Sequence, residues 1–322
     1  MRQFDFTRPD RIEDVLKILG PAIRPYAGGT DLLPLMKAEL FAPAKLVDVK
    51  KALKAGIEAG EDGMTVGALT VLDAVERDSL IKLNYTALAE AAAAAASPQL
   101  RNMATIGGNL LQRPRCWYFR NPRVRCWLKG GERCAAEEGD NRHHALFGGG
   151  PCYAVHPSDP AAALVALNAE VRVRGSGGER LVPAEEFFAL PREDRRVETV
   201  LGEDELVVSL RLPPTAPGTR STYLKAMERK TWTFALAGIA AALRMSEDGK
   251  VMDARIVLSG VAPVPWRALR AEEILVNEKA GEKAFAAAAR AAIVGASPLM
   301  HNGYKLPLVE ALVRRALERV SV

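Results

Sequence analysis

Several features are scarce in this sequence of 322 residues, and each absence narrows the class of protein. No run approaches the ~18 consecutive apolar residues that a membrane-spanning helix requires, so we expect a soluble chain. Residues 1–10 lack the apolar core of a secretory signal, so this segment should stay attached. The net charge is only +5, which is too small and too scattered to favour nucleic acid as a partner.

Cysteine is absent from most of the chain, because all four cysteines lie between positions 116 and 152. Structural disulfides more often join distant elements. The spacing Cys116-x9-Cys126-x7-Cys134-x17-Cys152 also differs from the paired C-x2-C spacing of zinc fingers and ribbons. An iron-sulfur cubane tolerates irregular spacing, since four thiolates wrap an object larger than one ion. We therefore expect a 4Fe-4S cluster, with zinc, or buried cysteines in a solvated basic loop, as alternatives.

Residues 112–152 form a long segment without a sustained helical or strand period. A loop of this length inside a compact domain is usually functional. Cations beside four thiolates would stabilise an anionic cluster, so the basic residues of the loop fit the same hypothesis. None of its histidines is assigned to a metal. The arginines of the loop are Arg113, Arg115, Arg120, Arg123, Arg125, Arg133 and Arg142.

Two glycine pairs, Gly28-Gly29 and Gly107-Gly108, lie in predicted tight turns of two small αβ units. Without Cβ atoms the backbone can approach a pyrophosphate, and a following helix supplies free N–H groups. One such pair alone is more often an ordinary capped turn. Two pairs indicate a long dinucleotide between the units, and the lack of a G-x-G-x-x-G or Walker motif favours a dinucleotide other than NAD.

The pattern of apolar residues predicts the organisation of the chain. Residues 1–55 should form a small βαβαβ unit, and residues 57–69 a pair of strands about Asp62-Gly63. The prolines at 213, 214 and 217 mark a boundary between a domain of residues 1–214, subdivided near residue 55, and a domain of residues 219–322. In the second domain we predict strands at 221–227 and 254–261 and an apolar helix at 234–244.

Further motifs extend over essentially the whole chain. They are Tyr26-Ala27-Gly28-Gly29-Thr30-Asp31-Leu32-Leu33, residues 99–102 and 105–110, His156-Pro157-Ser158-Asp159, and Tyr223-Leu224-Lys225 with Phe234-Ala235. Together these motifs resemble the FAD-binding medium subunits of the xanthine dehydrogenase group of molybdenum hydroxylases. The cysteine loop, which most of that family lacks, is similar to the branch with an additional 4Fe-4S cluster, above all the bacterial aldehyde oxidoreductases of periplasmic type. The loop of the 4-hydroxybenzoyl-CoA reductases matches less well.

The resemblance implies an α+β fold: the two-subdomain FAD-binding fold of the vanillyl-alcohol oxidase (PCMH) type, followed by a small αβ domain of the CO dehydrogenase flavoprotein C-terminal type. Asp159 would contact the adenosine end of FAD and Lys225 the flavin side. The implied cluster ligands are Cys116, Cys126, Cys134 and Cys152. The implied FAD-binding residues are Arg24, Pro25, Tyr26, Ala27, Gly28, Gly29, Thr30, Asp31, Leu32, Arg101, Thr105, Gly107, Gly108, Asn109, Asp159 and Lys225.

The function that the resemblance implies is electron transfer within a larger complex. Partners would be a large subunit with the molybdenum cofactor and a small 2Fe-2S subunit, and FAD would pass electrons to an external acceptor. No catalytic residue is assigned to this chain. The alternatives are a 4-hydroxybenzoyl-CoA reductase or xanthine dehydrogenase-like complex, a stand-alone flavin oxidase, and a zinc-stabilised binding module. Assembly in the cytoplasm is expected, and the compartment stays open because a folded complex can be exported on a partner's twin-arginine signal.

Overall fold

The computed structural model describes residues 1–321, which form an α+β structure with three separate sheets. The strands are β1 (Asp5–Thr7), β2 (Ile23–Tyr26), β3 (Lys45–Asp48), β4 (Ile57–Gly60), β5 (Gly63–Gly67), β6 (Glu170–Gly175), β7 (Gly178–Pro183), β8 (Leu206–Leu212), β9 (Thr219–Ala226), β10 (Ala237–Met245), β11 (Val251–Ser259) and β12 (Trp266–Arg267). The helices are α1 (Ile12–Leu16), α2 (Leu32–Lys37), α3 (Leu72–Arg77), α4 (Ser79–Asn84), α5 (Thr86–Ala94), α6 (Pro98–Arg101), α7 (Ile106–Leu110), α8 (Trp117–Arg120), α9 (Asp159–Ala166), α10 (Ala184–Phe187), α11 (Leu269–Leu275), α12 (Glu282–Ala291) and α13 (Lys305–Val320).

The first sheet lies in the unit formed by residues 1–55. Its strands are parallel in the order β1-β3-β2, and helices α1 and α2 lie in the connections that parallel strands require. Val15 of α1 packs with Val47 and Val49, next to Leu206 of β8. The predicted βαβαβ unit is therefore confirmed, and its apolar core also reaches the second sheet.

The second sheet has five antiparallel strands in the order β4-β5-β8-β6-β7. Strands β4 and β5 form the predicted hairpin, and Gly63 has a φ of +107° that glycine adopts at low cost. Helices α3, α5 and α9 bury their apolar residues in one core together with this sheet. This core fixes the turn before α7 and the start of α9.

The third sheet, in the order β12-β11-β10-β9, shows that the helix predicted at residues 234–244 was wrong. That segment contributes the central strand β10. Ala240 faces the core shared with α5 and α9, whereas Ile239 and Ala241 face a second core formed with α11, α12 and α13. A strand that is buried on both faces loses the alternation of apolar and polar residues by which strands are identified.

The long segment between α7 and α9 holds only the short helix α8 and a 3-10 turn at Trp127–Lys129. This agrees with the absence of a helical or strand periodicity in its sequence. Near its start, Phe119 and Cys126 pack on Leu35 of α2. Towards its end, Leu146 and Phe147 insert into the core of the third sheet. The segment thus packs against both the first unit and the C-terminal part of the chain. Within the described range, none of the helices has the length and apolar character needed to cross a membrane.

Candidate functional site

The two glycine turns lie in direct contact with each other. A Cβ atom placed on Gly28 would lie only 2.0 Å from the carbonyl oxygen of Met103, in the turn before α7. Its neighbour Gly29 has a φ of +70° and lies against the ring of Tyr26. Glycine at position 28 is therefore required for the two backbones to approach.

The first turn presents a row of free backbone donors. In the part of the chain that the structure describes, the N–H groups of residues 28–31 make no intramolecular hydrogen bond. Helix α2 begins directly after them. Successive N–H groups in a turn can form an anion-binding concavity, so these residues fit the pyrophosphate of a dinucleotide.

The second turn uses more of its donors within the protein. Thr105 caps α7 by accepting a hydrogen bond from the N–H of Gly108 at 3.2 Å. The N–H of Gly107 donates to the carbonyl of Ala68 at 3.0 Å, and a Cβ atom on Gly107 would meet the Cβ of Ala68 at 3.0 Å. Gly107 therefore allows a close approach of the backbone to the second sheet.

Three further residues of the predicted FAD site have protein partners. Asn109 accepts a hydrogen bond from the hydroxyl of Ser158, which caps α9. Arg101 forms an ion pair with Glu76 at 2.7 Å. Arg24 donates to backbone carbonyls just before and within its own strand. These contacts hold the two turns in place, and direct contacts of the three side chains with FAD stay predictions.

Asp159 and Lys225 form a buried ion pair with each other. Lys225 Nζ lies 2.7 Å from Asp159 Oδ2, and the hydroxyl of Tyr223 donates to Oδ1 at 2.6 Å. Burial raises the pKa of Asp159, and the ammonium group of Lys225 opposes this shift. The pair joins α9 to β9, and the contacts of its two members with opposite ends of FAD stay predictions.

Asp31 links the first glycine turn to the cysteine loop. Its carboxylate accepts hydrogen bonds from the backbone N–H of Arg113 at 2.9 Å and from the guanidinium of Arg120 at 2.8 Å, and it pairs with Arg115 at 2.9 Å. The guanidinium of Arg113 pairs with Glu198. These three arginines pair with two protein carboxylates, and their role as counter-ions of a cluster stays a prediction.

The four cysteines lie in one neighbourhood and form no disulfide. Cys116 packs with Cys126 in one small apolar cluster and with Cys152 in a second. Cys134 and Cys152 are close enough for each thiol to shift the pKa of the other. Four thiols that the sequence separates by up to 36 positions are thus gathered into a connected group.

Opposing effects act on the ionisation of these thiols. Burial raises the pKa of Cys116 to about 11. The interaction between Cys134 and Cys152 lowers the pKa of Cys134 and raises that of Cys152. Backbone N–H groups favour the thiolates, as do comparable hydrogen bonds in iron-sulfur sites. These donors belong to Tyr118 and Phe119 at Cys116, to Ala136 and Tyr153 at Cys134, and to Ala154 at Cys152.

Among residues 1–321, no three His, Cys, Asp or Glu side chains are close enough to hold a single metal ion. Two buried donors in the same loop, Arg115 Nε and Trp127 Nε1, nevertheless have no protein partner among the described residues. The indole Nε1 of Trp127 makes no hydrogen bond within the described chain, and its ring packs with Cys152 and Cys116. Because buried donors are rarely left unpaired, this group fits a bound species with acceptor atoms.

Comparison with known proteins assigns the chain to a family. The family described as FAD binding domain in molybdopterin dehydrogenase matches residues 2–215, and the CO dehydrogenase flavoprotein C-terminal domain matches residues 222–320. The chain belongs to the FAD-binding subunits of the molybdopterin dehydrogenases. The predicted family resemblance and the predicted FAD-binding fold with its C-terminal flavoprotein domain are thereby confirmed.

Individual relatives of this FAD subunit support the same family assignment. It is 40% identical to the aldehyde oxidoreductase FAD-binding subunit PaoB of Escherichia coli over 254 residues, 77% of each chain. It is 29% identical to the carbon monoxide dehydrogenase medium chain of Hydrogenophaga pseudoflava, covering 98% of this chain and 96% of the relative. A solved structure of CO dehydrogenase from Oligotropha carboxidovorans aligns with a TM-score of 0.78 at 27% identity, covering 99% and 98% of the two chains.

Residues of this FAD subunit that sequence reasoning missed also lie at the cysteine site. His144 places its Nε2 atom 3.2 Å from the Sγ atom of Cys116. Lys305 and Asn302 donate hydrogen bonds to the backbone carbonyl of His144, each at 3.1 Å. Arg196 donates to loop carbonyls and lies 4.7 Å above the Trp127 ring. No local pattern marks these residues, because three of them reach the loop from distant segments of the chain.

Proposed function

We propose that this chain binds FAD and one 4Fe-4S cluster and acts as the electron-transfer subunit of a molybdenum-dependent hydroxylase complex. The observation that carries the proposal is the direct link between two sites. The turn with free N–H groups at residues 28–31 is joined, through Asp31, to the loop that gathers four free thiols. The proposal includes a FAD-binding domain at 1–214, with subdomains at about 1–55 and 56–214 and the loop at 112–152, and a C-terminal domain at 219–322.

The two glycine turns would hold FAD. The free N–H groups of residues 28–31 suit its pyrophosphate, and the contact between Gly28 and Met103 keeps the second turn at the same place. When bound, FAD supplies the chemistry of accepting and releasing electrons. The residues proposed to contact it are Arg24, Pro25, Tyr26, Ala27, Gly28, Gly29, Thr30, Asp31, Leu32, Arg101, Thr105, Gly107, Gly108, Asn109, Asp159 and Lys225.

The cysteine loop would hold the cluster, which supplies one-electron transfer when bound. The proposed ligands are Cys116, Cys126, Cys134 and Cys152. Their surroundings support this, since backbone N–H groups favour three of the thiolates, and Trp127 contributes a buried donor without a protein partner. Soft thiolates are also the ligands that iron-sulfur clusters use.

Aldehydes are the proposed substrates of the complex. The relative with 40% identity is named an aldehyde oxidoreductase subunit, whereas the carbon monoxide dehydrogenase medium chains are 28% and 29% identical. The proposed partners are a large subunit with the molybdenum cofactor, a small 2Fe-2S subunit and an external electron acceptor. The proposed role of this chain is to carry electrons between these partners, and substrate chemistry is assigned to the large subunit.

The composition of the purified chain tests this function. We expect about four iron atoms, about four sulfides and about one FAD per chain. The loop variant Arg123→Gln should have the same composition, because this side chain is exposed to solvent. Zinc in place of iron, without flavin, would contradict the proposal and support a zinc-stabilised binding module. FAD without iron or sulfide would contradict the cluster alone.

A further inference from the structure

The imidazole of His144 lies against one of the proposed cluster ligands. Its Nε2 atom is 3.2 Å from Cys116 Sγ, and the residue is only 2% exposed. We propose that His144 is a positioning residue that donates its Nε2–H to the sulfur of Cys116 and raises the reduction potential of the cluster. This inference rests on the proposed function, because it requires that Cys116 is a cluster ligand.

The charge state of a cluster ligand determines the direction of this hydrogen bond. An imidazole nitrogen can donate or accept a hydrogen bond, depending on which ring nitrogen carries the proton. A cysteine that binds iron does so as a thiolate, which has no proton to donate. With Cys116 as a cluster ligand, His144 is therefore the donor.

The C-terminal part of the chain holds this histidine in place. Lys305 and Asn302 both donate to its backbone carbonyl, and its own N–H donates to the carbonyl of Asn141 at 2.9 Å. Trp117 packs against the ring, with the two ring centroids 5.5 Å apart. The side chain is therefore held by packing and its backbone by hydrogen bonds, as a precisely placed donor requires.

The donor should favour the reduced state. An N–H group interacts more strongly with a sulfur that gains negative charge, and hydrogen bonds to cluster sulfurs are among the factors that set reduction potentials. Loss of a hydrogen bond to a charged group should change the equilibrium constant for reduction roughly tenfold. For a one-electron couple this change corresponds to a potential lowered by ~59 mV.

Three variants of the full chain test the proposal by potentiometric titration followed by EPR, alongside iron and sulfide content. His144→Phe removes the donor, and its potential should fall by ~59 mV. His144→Gln keeps an N–H donor at a similar reach and should stay near the wild-type potential. His143→Gln is the matched control, because the neighbouring imidazole lies 3.5 Å from Glu228 and makes no hydrogen bond to a cysteine.

The outcomes separate this inference from the proposed function. Wild-type protein without iron and sulfide would refute the cluster itself. Normal iron in all variants with the same potential in His144→Phe as in wild type would overturn the role of His144 and leave the cluster intact. If His144→Phe holds no cluster, retention by His144→Gln would support the donor, and loss from both would overturn it.

Discussion

The missing side chain of Gly28 is the smallest feature on which the proposed FAD site depends. The Cβ atom of any other residue would collide with the backbone carbonyl of Met103, and a backbone atom cannot turn away as a flexible side chain can. The proposed binding of FAD by the free N–H groups that follow Gly28 depends on this contact. Gly28 thus allows the backbones of the two glycine turns to lie in contact, and this contact sets the geometry of the proposed FAD site.

Substitution of Gly28 by alanine should separate the two turns. We expect Gly28→Ala to lower the flavin content of the purified chain severely and to destabilise the fold by about 1–3 kcal/mol, the usual cost of overpacking. Gly20→Ala is the matched control, because a Cβ atom there would have no neighbour within 4 Å. The measurement is the ratio of flavin to protein absorbance. Equal ratios in the two variants would show that the contact at Gly28 is not needed.

Asp159 offers a second prediction at this scale, since its removal leaves the ammonium group of Lys225 buried without a counter-charge. Asp159→Asn should lower the free energy of unfolding by about 3–5 kcal/mol, and the double variant Asp159→Asn/Lys225→Met should recover part of this loss. The exposed pair formed by Asp73 and Arg77 provides the control, because Asp73→Asn should cost at most about 1 kcal/mol. Urea unfolding measures all three, and equal losses for the two single variants would refute the importance of burial.

At the scale of elements, the start of α13 anchors the cysteine loop. Lys305 is fully buried and donates to the carbonyls of His144 and Gly260, at 3.1 and 2.8 Å, with no carboxylate in contact. Burial lowers its pKa to about 7. Asn302, on the preceding turn, holds the same loop backbone. A helix of the C-terminal part of the chain therefore fixes the segment that carries the fourth cysteine.

The lowered pKa of Lys305 predicts a pH dependence of stability. Between about pH 7 and its ordinary pKa of about 10.4, the unfolded chain binds a proton that the folded chain does not. Stability should therefore rise with pH in this window by up to about 1.4 kcal/mol per pH unit. Lys305→Met should lack this rise, whereas the exposed Lys283→Met should keep it. Urea unfolding at pH 7, 8 and 9 measures the slopes, and equal slopes in all three proteins would contradict the prediction.

The elements also show what could be predicted from the sequence. The parallel unit of residues 1–55 and the hairpin at Gly63 follow local patterns, and both were predicted correctly. Strand β10 was mistaken for a helix because its two faces pack in different cores, and burial on both faces is decided by the tertiary structure. The same reason hides His144, Lys305 and Asn302, whose importance arises from contacts between distant segments.

At the scale of the whole molecule, the second and third sheets contribute residues to one apolar core. Ala240 and Val257 of the third sheet lie in one apolar core with α5 and α9. The cysteine loop connects the first unit to the core of the C-terminal sheet. The glycine turns and the thiols are therefore positioned by the entire chain. The two glycine turns that the sequence motifs mark lie in contact, and the FAD contacts of the other named residues stay predictions. The contacts that hold the turns could be identified only in the structure.

The most direct test of this account compares low-temperature EPR spectra and iron content of the dithionite-reduced wild-type chain with those of four single variants. Cys116→Ser, Cys126→Ser, Cys134→Ser and Cys152→Ser should each lose or destabilise the cluster, because a serine oxygen is a harder and poorer ligand for iron. FAD should be retained better than iron, since its proposed phosphate site lies outside the loop. Wild-type iron content and wild-type spectra in all four variants would contradict the central claim that these thiols hold a 4Fe-4S cluster beside the flavin.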